Sequence, residues 1–246
     1  MYQFFVKDGQ VAGHEVFIEG SDVNHIRNVL RMKAGDEIRV TNENGKNWRC
    51  AITELSEQLV RAQIVEEMSA TELPCKVYLF QGLPKNDKME LIIQKAVELG
   101  VYEVIPVAMK NCVVKLDEKK AQAKTTRWQE IAKSAAKQAK RSLIPTVQSP
   151  ITWKEAVTRM KELDVRLVPY ENERGMEATR EAVSGILPGQ TVGIWVGPEG
   201  GFAPEEIAAV QAEELKLISL GNRILRTETA GFTTLAFLIY ALETDA

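Results

Sequence analysis

Short runs of alternating apolar and polar residues fill roughly the first seventy positions: YQFFV, EVFI, EIRV, WRCAI and LVRAQIV, with the turn NENGKN between the third and fourth. Runs of this kind, bounded by Gly, Asn and Asp, predict the strands of a small β-rich domain. One helix interrupts them: Ser21 is a candidate N-cap for DVNHIRNVLRM, which Gly35 ends. EEMSATELP then loses periodicity and is expected to be a linker.

After Pro74 the rhythm changes to strands alternating with helices, which predicts a mostly parallel sheet with crossover helices. KVYLFQGL is its first strand. The next helix starts at Asp87, placed to cap it while Glu90 reaches back. Met89, Ile92, Ile93, Ala96 and Val97 share one face, and Gly100 closes the helix. YEVIPV, VRLVPY, TVGIWV and LKLISL are the later strands, each leading through a loop into a helical stretch. The last of these, TAGFTTLAFLIYALE, is apolar enough to predict a largely buried helix.

Composition narrows the class only modestly. A chain of 246 residues, 45% apolar and 26% charged, has the make-up of a globular protein with one large or two small domains. No apolar stretch approaches the roughly 20 residues of a membrane span. MYQFFVKDGQ lacks the apolar centre of a secretion signal, so a cytoplasmic location without membrane contact is expected. Cys50, Cys75 and Cys112 are odd in number and widely separated, which suggests neither a disulfide framework nor a CxxC site. With His14 and His25 as the only imidazoles, no metal site is expected.

Charge is distributed unevenly. Lys110 to Arg141 carries ten Lys or Arg against three acids, a local excess of seven, so the rest of a chain of net charge −3 carries −10. In RWQEIAKSAAKQAKR, helical spacing puts Trp128, Ile131, Ala132, Ala135 and Ala139 on one face and Lys133, Lys137, Lys140 and Arg141 on the other. That charged face reads either as a rail for phosphates or as an ordinary solvated surface. Lys110 and Lys115, with Arg27 and Arg31 on the N-terminal helix, would extend it.

Two strand-end loops hold the candidate chemistry. GPEGGFAPEEI leaves TVGIWV, spends Gly197, Gly200 and Gly201 within a few residues, and enters a helix at Pro204 with Glu205 and Glu206 in its first turn. Glycines there let a backbone approach a flat ligand and adopt positive φ; a tight turn with nothing bound reads equally well. The stretch is neither a Walker loop nor GxGxxG, and acids at the helix start disfavour a phosphate, so a ligand with an adenosine end and no phosphate fits better. SLGNRILRTETAGF likewise leaves a strand at Leu220, turns on Gly221-Asn222, and presents Arg223, Arg226 and Glu228 before Thr227 or Thr229 caps the last helix.

GPEGGFAPEE followed by LGNRILRTETA, with KNDKMELIIQKAVELGV and AKQAKRSLIPTV upstream, resembles the ribosomal small-subunit RNA methyltransferase E family of the SPOUT class along essentially the whole chain. It departs from the family pattern at Gln3, at Lys110-Asn111-Cys112 and at Ala139-Lys140. The resemblance implies an α/β fold: a PUA-like β-barrel for RNA contact over residues 1–70, then a SPOUT methyltransferase domain with a C-terminal trefoil knot over residues 74–246. It also implies a homodimer that takes S-adenosylmethionine and methylates N3 of a decoding-centre uridine in 16S rRNA. A SPOUT ribose 2′-O-methyltransferase and a non-catalytic ribosome-assembly factor are the alternatives.

On that reading the donor meets Gly197, Pro198, Gly200, Gly201, Leu220, Gly221, Ile224, Leu225 and Thr229, with a third contribution from Val168, Pro169, Tyr170 and Glu171. Tyr170 reads equally as a core aromatic. Uracil N3 carries a proton that must leave before or during attack. Arginine cannot accept it, with a pKa above about 12, but can stabilise the developing anion. Arg226 is therefore assigned to the uracil oxygens or target phosphate, and Glu199 or Glu228 to the proton; Glu228 reads equally as a helix-start carboxylate.

Overall fold

The early alternation folds into strands β1 (Tyr2–Phe5), β2 (Val11–Ala12), β3 (Glu15–Glu19), β4 (Glu37–Thr41), β5 (Asn47–Leu55) and β6 (Leu59–Met68), ordered β1-β4-β5-β6-β3-β2. All pairings are antiparallel except β1 with β4. The computed structural model describes residues 1–243 and separates into two units, Met1–Glu72 with Ala136–Ile144, and Leu73–Ala135 with the chain from Pro145 onward. The first unit is thus not one continuous stretch. EEMSATELP is not wholly a linker either, since β6 extends through Glu66 and Glu67 to Met68. The predicted helix is shorter than expected. Helix α1 (Ser21–Asn24) starts after Gly20, widens into a π turn over His25–Val29, and ends before Arg31, which takes φ +54°.

Phe4, Val16, Ile18, Ile26, Ile38, Val40, Cys50, Ile52 and Val60 form the core of this unit. Strand β4 does not alternate in exposure, because Arg39 and Thr41 are buried as well. Segment 136–144 contributes to this cover: Gln3 Nε2 donates to the Arg141 carbonyl at 2.5 Å, and Asn47 Nδ2 donates to Ser142 Oγ at 2.8 Å. Arg141, only 3% exposed, donates from Nε to both Glu72 oxygens at 3.0 and 2.9 Å, and Ser142 N–H donates to Glu72 Oε1 at 2.7 Å. Taking away one member of a buried ion pair removes a compensating charge from the other. Glu72→Ala is therefore expected to destabilise this unit by about 3 kcal/mol, read as denaturant unfolding through Trp48. A loss below about 1 kcal/mol would show that the pair behaves as a surface contact.

The second unit is a parallel sheet. Its strands are β7 (Lys76–Gly82), β8 (Glu103–Ala108), β9 (Thr146–Val147), β10 (Ile151–Thr152), β11 (Val165–Pro169), β12 (Thr191–Val196) and β13 (Lys216–Ile218), ordered β10-β8-β7-β12-β11-β13 with β9 also on β8. Its helices are α2 (Lys88–Glu98), α3 (Glu118–Gln138), whose last turn counts with the first unit, α4 (Trp153–Lys161), α5 (Glu177–Ser184), α6 (Pro204–Ala212) and α7 (Thr227–Leu242). Strands buried on both faces read as continuous apolar runs. Accordingly β12 is buried from Val192 to Val196, with the Trp195 ring tilted against Trp153 and Phe80 at centroid distances of 4.3 and 5.7 Å.

Met89, Ile92, Ile93, Ala96 and Val97 are all buried on α2. Gly100 takes φ +89° while Val101 N–H bonds the Ala96 carbonyl, and a Cβ on Gly100 would sit 2.7 Å from Leu73 Cδ1. The capping expectation at Asp87 fails: Asp87 holds the N-cap position without a side-chain bond, and Glu90 pairs instead with Arg127. Helix α7 also differs from its expectation. One stripe, Thr227, Gly231, Thr234, Leu235 and Leu238, is buried, whereas Ala236 is exposed and Tyr240 is 87% exposed. An apolar composition all round a helix does not say which faces its own unit covers.

Candidate functional site

In a parallel sheet every strand delivers its loop to the same edge, and ligands favour the crevice where successive connections diverge to opposite sides. Here β7 connects onward to β8 on one side, while its other neighbour is β12. The glycine loop after β12 lies there. Gly82, the last residue of β7, faces it so closely that a Cβ would stand 2.7 Å from Pro198 N and Cδ and 2.8 Å from Met109 Sδ.

Several groups fix the loop. Gly201 N–H donates to the Pro198 carbonyl at 2.9 Å, closing a turn in which Gly201 has φ +65°. Asn111 Nδ2 donates to the carbonyls of Gly200 and Gly201 at 3.0 and 3.3 Å. Buried Glu206 accepts from Ala203 N–H and Lys110 N–H at 2.8 and 2.9 Å, while Lys110 Nζ pairs with Glu205. The acids after Pro204 are thus occupied by the protein itself.

The loop before α7 meets the same place. Thr227 does not cap α7; Arg226 occupies the N-cap position. Buried Thr227 Oγ1 instead donates to the Gly197 carbonyl at 2.6 Å and accepts from Gln81 Nε2 at 2.9 Å, joining β7, the glycine loop and α7 through one hydroxyl.

Between the loops lies a cavity of about 470 Å³ lined by Lys88, Pro169, Glu171, Val196, Gly197, Pro198, Glu199, Gly200, Gly201, Phe202, Ile224, Leu225, Arg226, Thr227 and Ala230. A recess of about 70 Å³ shares Pro169, Glu171, Ile224, Leu225 and Ala230 and adds Tyr170, Leu220, Gly221 and Arg223. Most of the residues predicted to hold a ligand are therefore gathered together. Val168 and Thr229 are not: Val168 is wholly buried in β11, Thr229 is exposed, and neither lines the two cavities. Lys88, Asn111 and Thr227 went unassigned. Only Thr227 had a local signal, next to Arg226, and it was read as a cap.

The charges are arranged asymmetrically. Lys88 Nζ lies 3.2 Å from Glu199 Oε1 and 3.3 Å from Glu228 Oε2, and Lys85 N–H donates to both Glu199 oxygens at 3.1 and 3.2 Å. Burial pushes the Glu199 carboxyl up, but backbone N–H bonds and Lys88 outweigh it and leave its pKa below the ordinary carboxylate value. A depressed carboxyl stabilises the fold above its unfolded pKa, about 4.3, and that contribution fades as pH falls through the lower folded value. Hydrogen bonding to Glu199 lifts Lys88 above the ordinary lysine range, with burial opposing and Glu228 adding to it. Among the described residues the exposed Arg226 guanidinium has no hydrogen bond or ion pair. The site thus offers a glycine-walled cavity with Glu199 on its wall sharing the Lys88 ammonium with Glu228, which is not among the lining residues. It also offers two guanidinium groups unpartnered among the described residues, Arg226 on the cavity and Arg223 on the recess.

The profile described as an RNA methyltransferase domain matches residues 71–239, and that of an RNA methyltransferase PUA domain matches residues 18–65. A ribosomal RNA small subunit methyltransferase E of Bacillus subtilis is 39% identical over 230 residues, covering 92% of this chain and 90% of the relative. The chain belongs to the ribosomal RNA small subunit methyltransferase E family. A Synechocystis member is 32% identical over 98% of this chain and 78% of its own length. The crystal structure of the Neisseria gonorrhoeae methyltransferase E bound to S-adenosyl methionine matches with a TM-score of 0.84 at 30% identity, covering 98% of this chain and 97% of the other.

The basic residues are less uniform than the sequence suggested. In the first unit Arg27 is half-buried and Arg31 exposed. Lys137 Nζ is tied to Asp22 at 2.8 and 3.0 Å. Arg141 is corrected outright, since it lies beyond α3 and is buried against Glu72, not on a solvated helix face. Lys140 also lies past the helix end, with φ +59°, and burial followed by repulsion from Arg39 lowers its pKa. In the second unit Lys115 and Lys110 are exposed and Lys133 is half-buried. All three cysteines are free and buried, with burial pushing the Cys50 thiol up to about 12. Among the described residues no three His, Cys, Asp or Glu side chains cluster as metal ligands, and no helix is long and apolar enough to cross a membrane.

Proposed function

We propose that the chain methylates small-subunit ribosomal RNA with S-adenosylmethionine, at N3 of a decoding-centre uridine in 16S rRNA. Family membership supports the rRNA methyltransferase reading. The observation that carries the finer chemistry is Arg226, a guanidinium without a partner on the wall of a glycine-lined cavity beside carboxylates that already share Lys88.

The walls of the cavity support a donor there. A Cβ on Gly201 would stand 3.1 Å from Glu171 Oε1, and one on Gly200 3.0 Å from Asn111 Cβ, so close packing against these two side chains keeps the loop free of side chains of its own, and Gly197, Gly200 and Gly201 present bare backbone to the cavity. Gly197, Pro198, Gly200, Gly201, Leu220, Gly221, Ile224 and Leu225 would hold it, with Glu171 as acceptor for a hydroxyl or ammonium. Bound there, the donor supplies an electrophilic methyl on sulfur. Arg226 holds a uracil oxygen or flanking phosphate as charge spreads from N3. Glu199 is a poor proton acceptor, its oxygens being engaged by Lys85 N–H and Lys88. Glu228 is the better one.

Residues 1–70 are read as the PUA-like barrel that contacts RNA, and residues 74–246 as the knotted SPOUT domain, acting in the cytoplasm. Arg27 and Arg31 in one unit, and Lys110, Lys115 and Lys133 in the other, are the RNA-facing cations. The uncovered face of α7 supports a homodimer, which light scattering tests directly. The function itself is tested by incubating unmodified small subunits with the protein and donor, then digesting the rRNA for mass spectrometry. N3-methyluridine is the expected product; ribose methylation or no product overturns the reading.

A further inference from the structure

We propose that Lys88 is a positioning residue, an ammonium that holds Glu228 where it takes the proton from the reacting base. The inference rests on the N3 reading above for the identity of that proton. Lys88 is the first residue of α2, far in sequence from both loops, yet its Nζ sits 3.2 Å from Glu199 and 3.3 Å from Glu228.

The two carboxylates are not equivalent. Glu199 accepts the Lys85 N–H on both oxygens and serves to lash the turn before α2 to the glycine loop. Glu228, with a side chain only 14% exposed, keeps Oε2 buried and without a hydrogen-bond partner; the 3.3 Å approach of Lys88 is an ion contact. A buried acceptor with an unused lone pair is costly unless something comes to fill it, and a base N–H is such a group. The charged groups lining the cavity are Lys88, Glu199, Glu171 and Arg226; Glu228 is not itself among them, so Lys88 is the cation that ties Glu228 to the cavity, while Arg226 stays free for substrate.

The step balances simply. The N3–H proton passes to the Glu228 carboxylate, the electron pair it leaves on N3 forms the new N–CH₃ bond, and the broken C–S pair remains on a now neutral sulfur. Lys88 gains and loses nothing; it sets where the acceptor stands. Misplacement of about 1 Å costs on the order of 100-fold.

The test is a double-mutant cycle in the full-length protein, read as single-turnover methyl transfer at saturating small subunit and S-adenosylmethionine. Lys88→Met is expected to slow transfer on the order of 10- to 100-fold with donor affinity unchanged by calorimetry, and Lys88→Arg to restore most of it. In a Glu228→Gln background Lys88→Met should cost little further; in a Glu199→Gln background it should cost as much as in the wild type. Losses that add fully with Glu228→Gln, or a fall in donor affinity, overturn the proposal. Wild-type product analysis keeps the readings apart: a ribose-methylated product sinks the N3 assignment, whereas the cycle reports on Lys88 acting through Glu228.

Discussion

Arg226→Ala is expected to slow single-turnover methyl transfer on the order of 100-fold, while thermal melting and donor affinity stay near wild type. The structure gives reasons for both halves. The side chain is exposed and engages no other described residue, so its removal leaves no hole and strands no charge. The N-cap role of residue 226 is carried by its backbone, whose carbonyl accepts from Ala230 N–H at 2.9 Å. What disappears is a planar donor on the cavity wall, placed to stabilise a developing anion. Arg226→Lys keeps the charge but not the two-pronged geometry and should recover only part of the rate. Full activity in Arg226→Ala would remove the residue from the chemistry, and early melting would make it structural.

Gly201→Val should abolish S-adenosylmethionine binding in a protein that still folds. At φ +65° a β-branched residue pays about 1–3 kcal/mol in strain, and its Cβ would stand 3.1 Å from the Glu171 carboxylate before its methyls are added. The strain is local to a loop whose supports, Asn111 and Glu206, come from outside it. Calorimetry with donor on a mutant shown folded by circular dichroism checks this; retained affinity would mean that the loop is only a turn. Gly201→Ala, strained but shorter, should fall between the two.

The glycine loop was legible because its constraint is local: Gly201 needs positive φ and Pro204 suits a first turn. The α2 stripe was legible for the same reason, since one burial face repeats every three or four residues. What stayed hidden is long-range pairing. Lys88 looks like any solvated lysine at a helix start until Glu199 and Glu228 are brought to it. Arg141 sat in a basic run and counted as surface, but its partner Glu72 is 69 residues away. Thr227 stands where a cap would, and only the neighbouring loop shows that its hydroxyl reaches Gly197. Charge counts and periodicity describe what a residue offers. They do not say which segment accepts it.

The order of the second sheet has a consequence for how the chain is made. Strand β7 lies between β8 and β12, and Lys76 to Gln81 pair in parallel with Thr191 to Val196. As the chain leaves the ribosome, Val77, Leu79 and Phe80 find β8 early but must wait for β12 until most of the polypeptide has emerged. Non-local parallel pairing of this kind is slow and leaves apolar edges open to other nascent chains. The same adjacency that brings Gly82 against Pro198 makes the newborn protein depend on quick completion, so that slowing translation between Gly82 and Thr191 should raise its misassembled fraction.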